Sequence, residues 1–150
     1  MDRKIHIDNV FTRYSPPNFK GGIETYIYYL DNYLRDKGLS TRVIAMKDDY
    51  DYDASLGDIL KIPVRRIPVF VGLLFQKKIR PLFKNSDIVN IHYPTLGVWK
   101  IQAPLILTLQ TFASDKEEIG KKNSLRKVLR AWYRSSLMKW LEKKTFLQAE

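Results

Sequence analysis

The first 46 residues of the chain contain a strand pattern, two adjacent glycines, an amphipathic run and a second strand pattern, in that order. The strand patterns are Lys4 to Phe11, which alternates, and Thr41 to Met46, which is apolar and β-branched. Two strands joined through a helix form a βαβ unit, whose strands lie parallel in one sheet. This order predicts an α/β fold with a parallel sheet.

The helix of this unit is predicted from Gly22 to Lys37. Its apolar residues recur at the spacing of one helical face, and Gly38 follows as a typical C-terminal stop. The residues on that face are Ile23, Ile27, Leu30 and Leu34.

The glycine pair, Gly21 and Gly22, lies between the first strand and this helix, within the sequence P-P-N-F-K-G-G-I-E of Pro16 to Glu24. A strand that turns through glycines into a helix leaves backbone N–H groups and the positive end of the helix dipole facing outward, where a phosphate can bind. Alternatively, the glycines allow a tight turn and close packing of the helix on the sheet. The pattern leaves both roles open.

Strands and helices continue to alternate along the rest of the chain. We predict strands over Ile59 to Val64, Asp87 to His92 and Pro104 to Gln110, and the last is apolar enough to be buried on both faces of a sheet. Helices are predicted over Val69 to Phe83, ending near its proline, and over Lys122 to Phe146. The fold class predicted is a Rossmann-like parallel sheet flanked by helices.

The last predicted helix is apolar on one face and basic on another. Trp132 and Trp140 belong to the apolar face, whereas Arg126, Arg130 and Arg134 follow at intervals of four. Such a helix either packs its tryptophans into the domain core or lies in a membrane interface. Both possibilities stay open.

Composition limits the chemistry that this chain can perform. The 150 residues, 45% hydrophobic and 28% charged, are typical of one folded domain. Because cysteine is absent, disulfides, zinc-thiolate sites and thiol nucleophiles are excluded, and a cytoplasmic location fits. The longest apolar run, Ile67 to Phe75, is too short to cross a membrane, and we expect no signal peptide.

Positive charge is concentrated in two tracts of a chain whose formal net charge is +10. Lys61 to Lys84 has seven basic residues and no acid, and Lys116 to Glu150 has ten basic residues and four acids. Such tracts bind nucleic acid, anionic lipid or phosphorylated substrates. The membrane- or anion-binding residues predicted from them are Arg65, Arg66, Lys77, Lys78, Arg126, Arg130 and Arg134.

The segment from Asp48 to Asp58 contains five aspartates and is predicted to be a solvated loop. It does not form a calcium loop, because Ala54 replaces the required glycine and Leu60 replaces the closing glutamate. An Asp-x-Asp metal site is disfavoured, since no hydrophobic strand end precedes it. We therefore predict no metal site.

Three segments together resemble the N-terminal domain of a retaining, family 4 glycosyltransferase of the GT-B architecture. They are Pro16 to Ile44, Ser86 to Pro94 and Ala103 to Phe112. The most specific is the P-P-x-G-G-x-E opening, which here has one extra residue before the glycines.

The resemblance implies two Rossmann-like domains that face each other across a cleft. The N-terminal domain receives the acceptor, the C-terminal domain holds the nucleotide-sugar donor, and Gly21 and Gly22 are expected to meet the donor diphosphate. No cofactor or metal is implied, because backbone dipoles and basic side chains neutralise the leaving diphosphate. Because Glu150 comes just before a further core strand of the family pattern, we expect residues 1–150 to be one acceptor-side domain, truncated before the donor-binding domain and inactive alone.

The same resemblance implies roles for residues that follow two strands. His92 matches the histidine of a D-I-V-x-x-H pattern and is a candidate for sugar or acceptor binding, or a hydrogen-bonded structural histidine. Gln110 occupies the catalytic position where the family has the histidine of T-L-H-G, and glutamine can hydrogen-bond a sugar but cannot titrate. Thr111 and Asp115 are further sugar- or acceptor-binding candidates.

The function expected is transfer of a sugar from a nucleotide-sugar donor to a lipid-linked or polysaccharide acceptor. The protein would act in the cytoplasm, with peripheral contact to the anionic inner face of the membrane, and without nucleic acid. Two alternatives remain. The chain could be a non-catalytic basic module that binds nucleic acid or anionic membrane, or the membrane-recruiting half of a split glycosyltransferase that needs a separate donor-binding subunit.

Overall fold

A computed structural model describes residues 3–19, 21–47, 57–64, 71–92, 101–109, 140 and 143–144. Within these ranges the chain alternates strands and helices. In order, the elements are β1 His6–Val10, α1 Gly22–Asp36, β2 Ser40–Met46, β3 Ile59–Ile62, α2 Val71–Ile79, a 3-10 helix Arg80–Asn85, β4 Ile88–His92 and β5 Leu105–Thr108.

The five described strands form one parallel sheet in the order β3-β2-β1-β4-β5. From β1 the chain moves outward through β2 and β3, and it then returns to place β4 and β5 on the other side of β1. This is the doubly wound arrangement of a Rossmann-like fold, with its topological switch point between β1 and β4. The predicted fold class is confirmed.

The helices agree with the sequence patterns, with one difference. Helix α1 begins at the predicted Gly22 and ends one residue before Lys37. The helix predicted over Val69 to Phe83 is divided, because α2 stops at Ile79 and a 3-10 helix with Pro81 in its first turn follows. Proline cannot donate the backbone bond that would continue an α-helix.

Two apolar layers lie on opposite faces of the sheet, because alternate strand residues point to opposite sides. The layer shared with α1 contains Phe11, Tyr14, Ile27, Val43, Ala45 and Ile59. The layer shared with α2 contains Val10, Ile44, Phe75, Ile79, Phe83, Val89 and Ile91.

Strand β5 is less buried than its apolar sequence predicts. Ile106 is 48% exposed, and Leu105 and Leu107 are only half-buried. The expectation of a strand buried on both faces was wrong, because β5 is the edge strand of the described sheet and an edge strand has a neighbour on one side only.

A buried ion pair connects the central strands at the end opposite to the carboxyl edge. The Asp8 carboxylate is fully buried and accepts hydrogen bonds from Arg42 Nε at 2.8 Å and Nη2 at 2.9 Å. The Ser86 hydroxyl, just before β4, also donates to this carboxylate. The hydrogen bonds that Arg42 donates to Asp8 raise the pKa of Arg42 above its ordinary value. Because Asp8 and Arg42 face each other in register, this pair stabilises the pairing of β1 with β2.

We predict that Asp8→Asn lowers the free energy of unfolding by about 3 kcal/mol, because it leaves a largely buried guanidinium without its counter-ion. Urea denaturation followed by circular dichroism measures the change. Arg3→Gln is the matched control, since the Arg3 side chain is 73% exposed in its ion pair with Asp87 and should cost about 0.5 kcal/mol or less. Equal losses in the two variants would contradict this role of Asp8.

Candidate functional site

The carboxyl edge of the sheet collects the groups that can bind a ligand. Parallel strands end at the same edge, and Rossmann-like proteins bind ligands there, at the switch point. The loop after β1 leads to Gly21 and to the N-terminus of α1, while His92 and Thr108 are the last residues of β4 and β5. The switch point between β1 and β4 thus lies beside the start of α1.

The backbone at Gly21 and Gly22 is exposed and conformationally ordinary. Gly21 is the N-cap of α1 with φ −171° and ψ 164°, an extended conformation that any residue adopts, and Gly22 has no positive φ. A Cβ atom built on either glycine would meet no atom within 4 Å. Neither a special turn nor close packing among the described residues therefore requires glycine, and the space beside both is open to a ligand or another domain.

The loop before the glycines is held against α1 by aromatic side chains. The ring of the fully buried Tyr14 lies 6.3 Å from that of Phe19, which in turn lies 5.4 Å from that of Tyr28 on α1. Lys61 Nζ donates a hydrogen bond to the Tyr14 carbonyl, and burial raises the pKa of the Tyr14 hydroxyl. These contacts position the start of α1 relative to the sheet.

Glu24, in the first turn of α1, is buried and directed into the protein. Its carboxylate lies 3.8 Å from Arg13 Nε, and the Arg13 side chain is 57% exposed. A carboxylate in the first turn stabilises the helix dipole, and Arg13 offsets its negative charge. This contact links the first turn of α1 to the loop after β1.

Four polar side chains form a network at the switch point. Thr108 Oγ1 donates to Asn90 Oδ1 at 2.7 Å, and Asn90 Nδ2 donates to Asn9 Oδ1 at 3.1 Å. His92 Nε2 lies 3.3 Å from Asn90 Nδ2 and 3.3 Å from Asn9 Oδ1. The network joins β1, β4 and β5 on the sheet face that α1 covers, and Tyr26 of α1 packs edge-on against His92 with ring centroids 6.0 Å apart.

Two atoms of this network have no hydrogen-bond partner among the described residues. They are Asn9 Nδ2 and His92 Nδ1, and both side chains are fully buried. Burial lowers the pKa of His92 to about 4, so its imidazole is neutral at pH 7. A buried polar atom without a partner costs about 1–3 kcal/mol. The network therefore holds hydrogen-bonding capacity that the described part of the chain does not use.

The sequence also matches the model of a known protein family. The model of Glycosyltransferase Family 4 matches residues 20–149, which include the glycine pair and every described strand after β1. The chain belongs to glycosyltransferase family 4. Membership supports a transferase of the glycosyltransferase type. No curated protein sequence matches the chain.

The structure brings three of the predicted site residues of this family 4 domain to one edge, namely Gly21, Gly22 and His92. Lys77 and Lys78 lie elsewhere, on α2. The other predicted residues lie outside the described ranges and their roles stay predictions; they are Arg65, Arg66, Gln110, Thr111, Asp115, Arg126, Arg130 and Arg134.

Most of the predicted helix Lys122 to Phe146 and of the acidic loop also lies outside the described ranges. Trp140, Lys143 and Lys144 are helical, and Trp140 is 48% exposed. Among the described residues, none of the helices has the length and apolar character of a membrane span. The same residues contain no cluster of three or more His, Asp or Glu that could hold a metal ion.

Sequence reasoning missed Asn9, Asn90, Thr108 and Tyr26. A signal was present, because Asn90 and His92 lie two positions apart in an otherwise apolar strand and must share one face. Asn9 likewise interrupts the apolar end of β1. Only the pairing of Asn9 with Asn90 in register shows that these side chains meet.

The lowered pKa of His92 predicts a specific loss of stability in acid. Between about pH 6.5, the ordinary pKa of histidine, and pH 4, the unfolded chain binds a proton that the folded chain does not, so stability falls as pH falls. We expect a contribution of about 1 kcal/mol per pH unit in this window. Urea denaturation at several pH values measures it.

The matched variants are His92→Gln and His6→Gln. His92→Gln should flatten the dependence of unfolding free energy on pH between pH 4 and 6.5, because glutamine does not titrate. His6→Gln should leave the contribution of His92 in place, since His6 lies outside the network, where it hydrogen-bonds Ser40 and lies 3.3 Å from the Asp8 carboxylate. An unchanged pH slope in His92→Gln would contradict the assignment.

Proposed function

We propose that this family 4 domain is the acceptor-side domain of a nucleotide-sugar-dependent glycosyltransferase that transfers a sugar to a lipid-linked or polysaccharide acceptor. The observation that carries the proposal is the exposed backbone of Gly21 and Gly22 at the N-terminus of α1. Neither φ nor packing against the described residues requires glycine there, and the position is the carboxyl edge of a Rossmann-like sheet. A ligand that approaches the backbone closely explains both glycines.

A diphosphate suits this position chemically. The first hydrogen bond within α1 runs from Thr25 N to Gly21 O, at 3.4 Å, so the N–H groups of Gly22 and Ile23 have no acceptor within the helix. No side chain of the described residues caps the helix at Gly21. Phosphate oxygens can accept from these N–H groups and interact favourably with the helix dipole. In this proposal a second domain or subunit holds the nucleotide, and neither metal nor cofactor is needed.

The acceptor would meet the partly exposed members of the switch-point network. Tyr26 is 44% exposed and Thr108 is half-buried, whereas His92 is fully buried. We therefore propose Tyr26 and Thr108 as groups that contact the acceptor, and His92 as a positioning residue whose neutral ring supports Asn9 and Asn90. Gln110, which follows β5 by two residues, is proposed to act near the transferred sugar.

Two other functions are distinguished by simple measurements. Salt-dependent binding of a single-stranded oligonucleotide, tighter than binding of heparin, would favour a nucleic-acid module. Co-purification of a second Rossmann-like chain would favour the membrane-recruiting half of a split enzyme. A nucleic-acid module does not account for the open backbone at Gly21 and Gly22, whereas a split glycosyltransferase would use the same backbone for the donor diphosphate, so sugar transfer is preferred.

We predict that Gly21→Ala and Gly22→Ala fold normally but transfer sugar poorly. A methyl group at either position meets no atom of the described residues, so the melting temperature should change little. The same methyl group would displace a diphosphate from the backbone, and kcat/KM should fall about 10- to 100-fold. The assay is transfer of labelled sugar by the protein together with its donor-binding domain or subunit.

Gly38→Ala is the matched control for the same chemical change. Gly38 has φ 83°, so alanine there should lower the free energy of unfolding by about 1 kcal/mol, while kcat/KM of the folded protein stays the same. Full activity in both Gly21→Ala and Gly22→Ala would refute the diphosphate site.

A further inference from the structure

A second concave surface lies away from the carboxyl edge. It is a groove of about 870 Å³ between α2, the 3-10 helix and the segment that leads into β5. Its lining includes Lys77, Arg80, Lys84, Phe83, Ile101 and Trp140. We call it the amino-edge groove, because Lys84 and Ile101 precede the first residues of β4 and β5.

The rim of the amino-edge groove is basic. Lys77 and Lys84 are exposed there with Arg80 between them in sequence, and no acidic residue is among the groove's described lining residues. Lys78 does not line the groove and donates instead to the Pro63 carbonyl. Three cations around one opening attract an anion, most strongly at low salt.

The floor of the same groove is apolar. Phe83 belongs to the buried core layer, and Ile101 packs against that layer. Trp140 lines the groove and is 48% exposed, which excludes a core position for this tryptophan. A half-exposed tryptophan beside lysines is typical of a surface that contacts lipid, since the ring is apolar and its N–H remains in water.

We infer that the amino-edge groove binds the phosphate headgroup and the first acyl methylenes of one anionic membrane lipid. The cations match the phosphate, and the apolar floor matches the chains. The volume is that of a site for one small molecule, and a concave surface does not fit a flat bilayer. Sugar transfer is proposed at the opposite edge of the sheet, so the bound lipid is an anchor and the acceptor is a different molecule.

Titration of the full chain with monomeric dihexanoylphosphatidic acid, followed by tryptophan fluorescence and calorimetry, tests the inference. Dihexanoylphosphatidylcholine has the same chains without net charge, and inorganic phosphate has the charge without chains. Phosphatidic acid should bind at least about tenfold more tightly than either control. It has the net charge that phosphatidylcholine lacks, which contributes about fivefold for each cation, and the methylenes that inorganic phosphate lacks, each of which contributes about fourfold. Equal binding of phosphatidic acid and either control would overturn the inference.

Charge-matched variants locate the site. The double variant Lys77→Gln with Lys84→Gln should weaken binding about 25-fold, since each cation near a lipid headgroup contributes about fivefold. The double variant Lys4→Gln with Lys37→Gln removes the same charge from exposed positions outside the groove and should change affinity less than twofold. Trp140→Ala should weaken the binding of phosphatidic acid about fivefold and leave the binding of inorganic phosphate unchanged. Equal losses of affinity in the two double variants would show that only net charge matters, and would refute the groove as the lipid site.

Vesicle flotation and sugar transfer separate this inference from the proposed function. The full chain should float with phosphatidylcholine vesicles that contain phosphatidic acid and not with pure phosphatidylcholine. The Lys77 and Lys84 double variant should lose flotation yet keep its kcat/KM for a water-soluble acceptor. Gly22→Ala should keep flotation and lose most of its kcat/KM. Loss of transfer to the soluble acceptor in the lysine variant would place the groove in the transfer site and overturn the anchor.

Discussion

The pairing of β1 with β2 on one side and β4 on the other is the interaction on which the rest of the structure depends. It is stabilised from within by the buried Asp8–Arg42 ion pair, which Ser86 extends toward β4. Because all three strands are parallel, their carboxyl ends share one edge. That edge receives the N-terminus of α1 and the polar residues that end β4 and β5, so strand direction alone brings together groups that are distant in sequence.

The two ends of the sheet therefore differ in chemistry. At the carboxyl edge, the exposed backbone of Gly21 and Gly22 and the neutral, buried network around His92 offer hydrogen bonds more than charge. At the amino edge, Lys77, Arg80 and Lys84 surround an apolar groove. The diphosphate and acceptor sites that we propose lie at one end of the sheet and the lipid site that we propose lies at the other, so the two would not compete for the same residues.

The periodicity of apolar residues predicted most of the described elements, because it shows directly which side of a helix or strand is buried. The spacing of Ile23 and Ile27 was enough for α1, and the run from Asp87 to His92 was enough for β4. It failed for β5, since hydrophobicity does not reveal whether a strand has one neighbour or two. The end of α2 was predicted from Pro81 instead, since the loss of one backbone donor there outweighs an apolar pattern that continues past it.

The sequence by itself determined the fold class, the position of the glycine pair before α1 and the resemblance to family 4, because these depend on local spacing and residue order. Only the tertiary structure decided that no described neighbour packs against Gly21 and Gly22, since open space beside a backbone depends on everything packed around it. It likewise decided that Asn9, Asn90 and His92 form one network and that burial keeps His92 neutral. Desolvation and contact across strands are properties of the assembled sheet, and no stretch of sequence contains them.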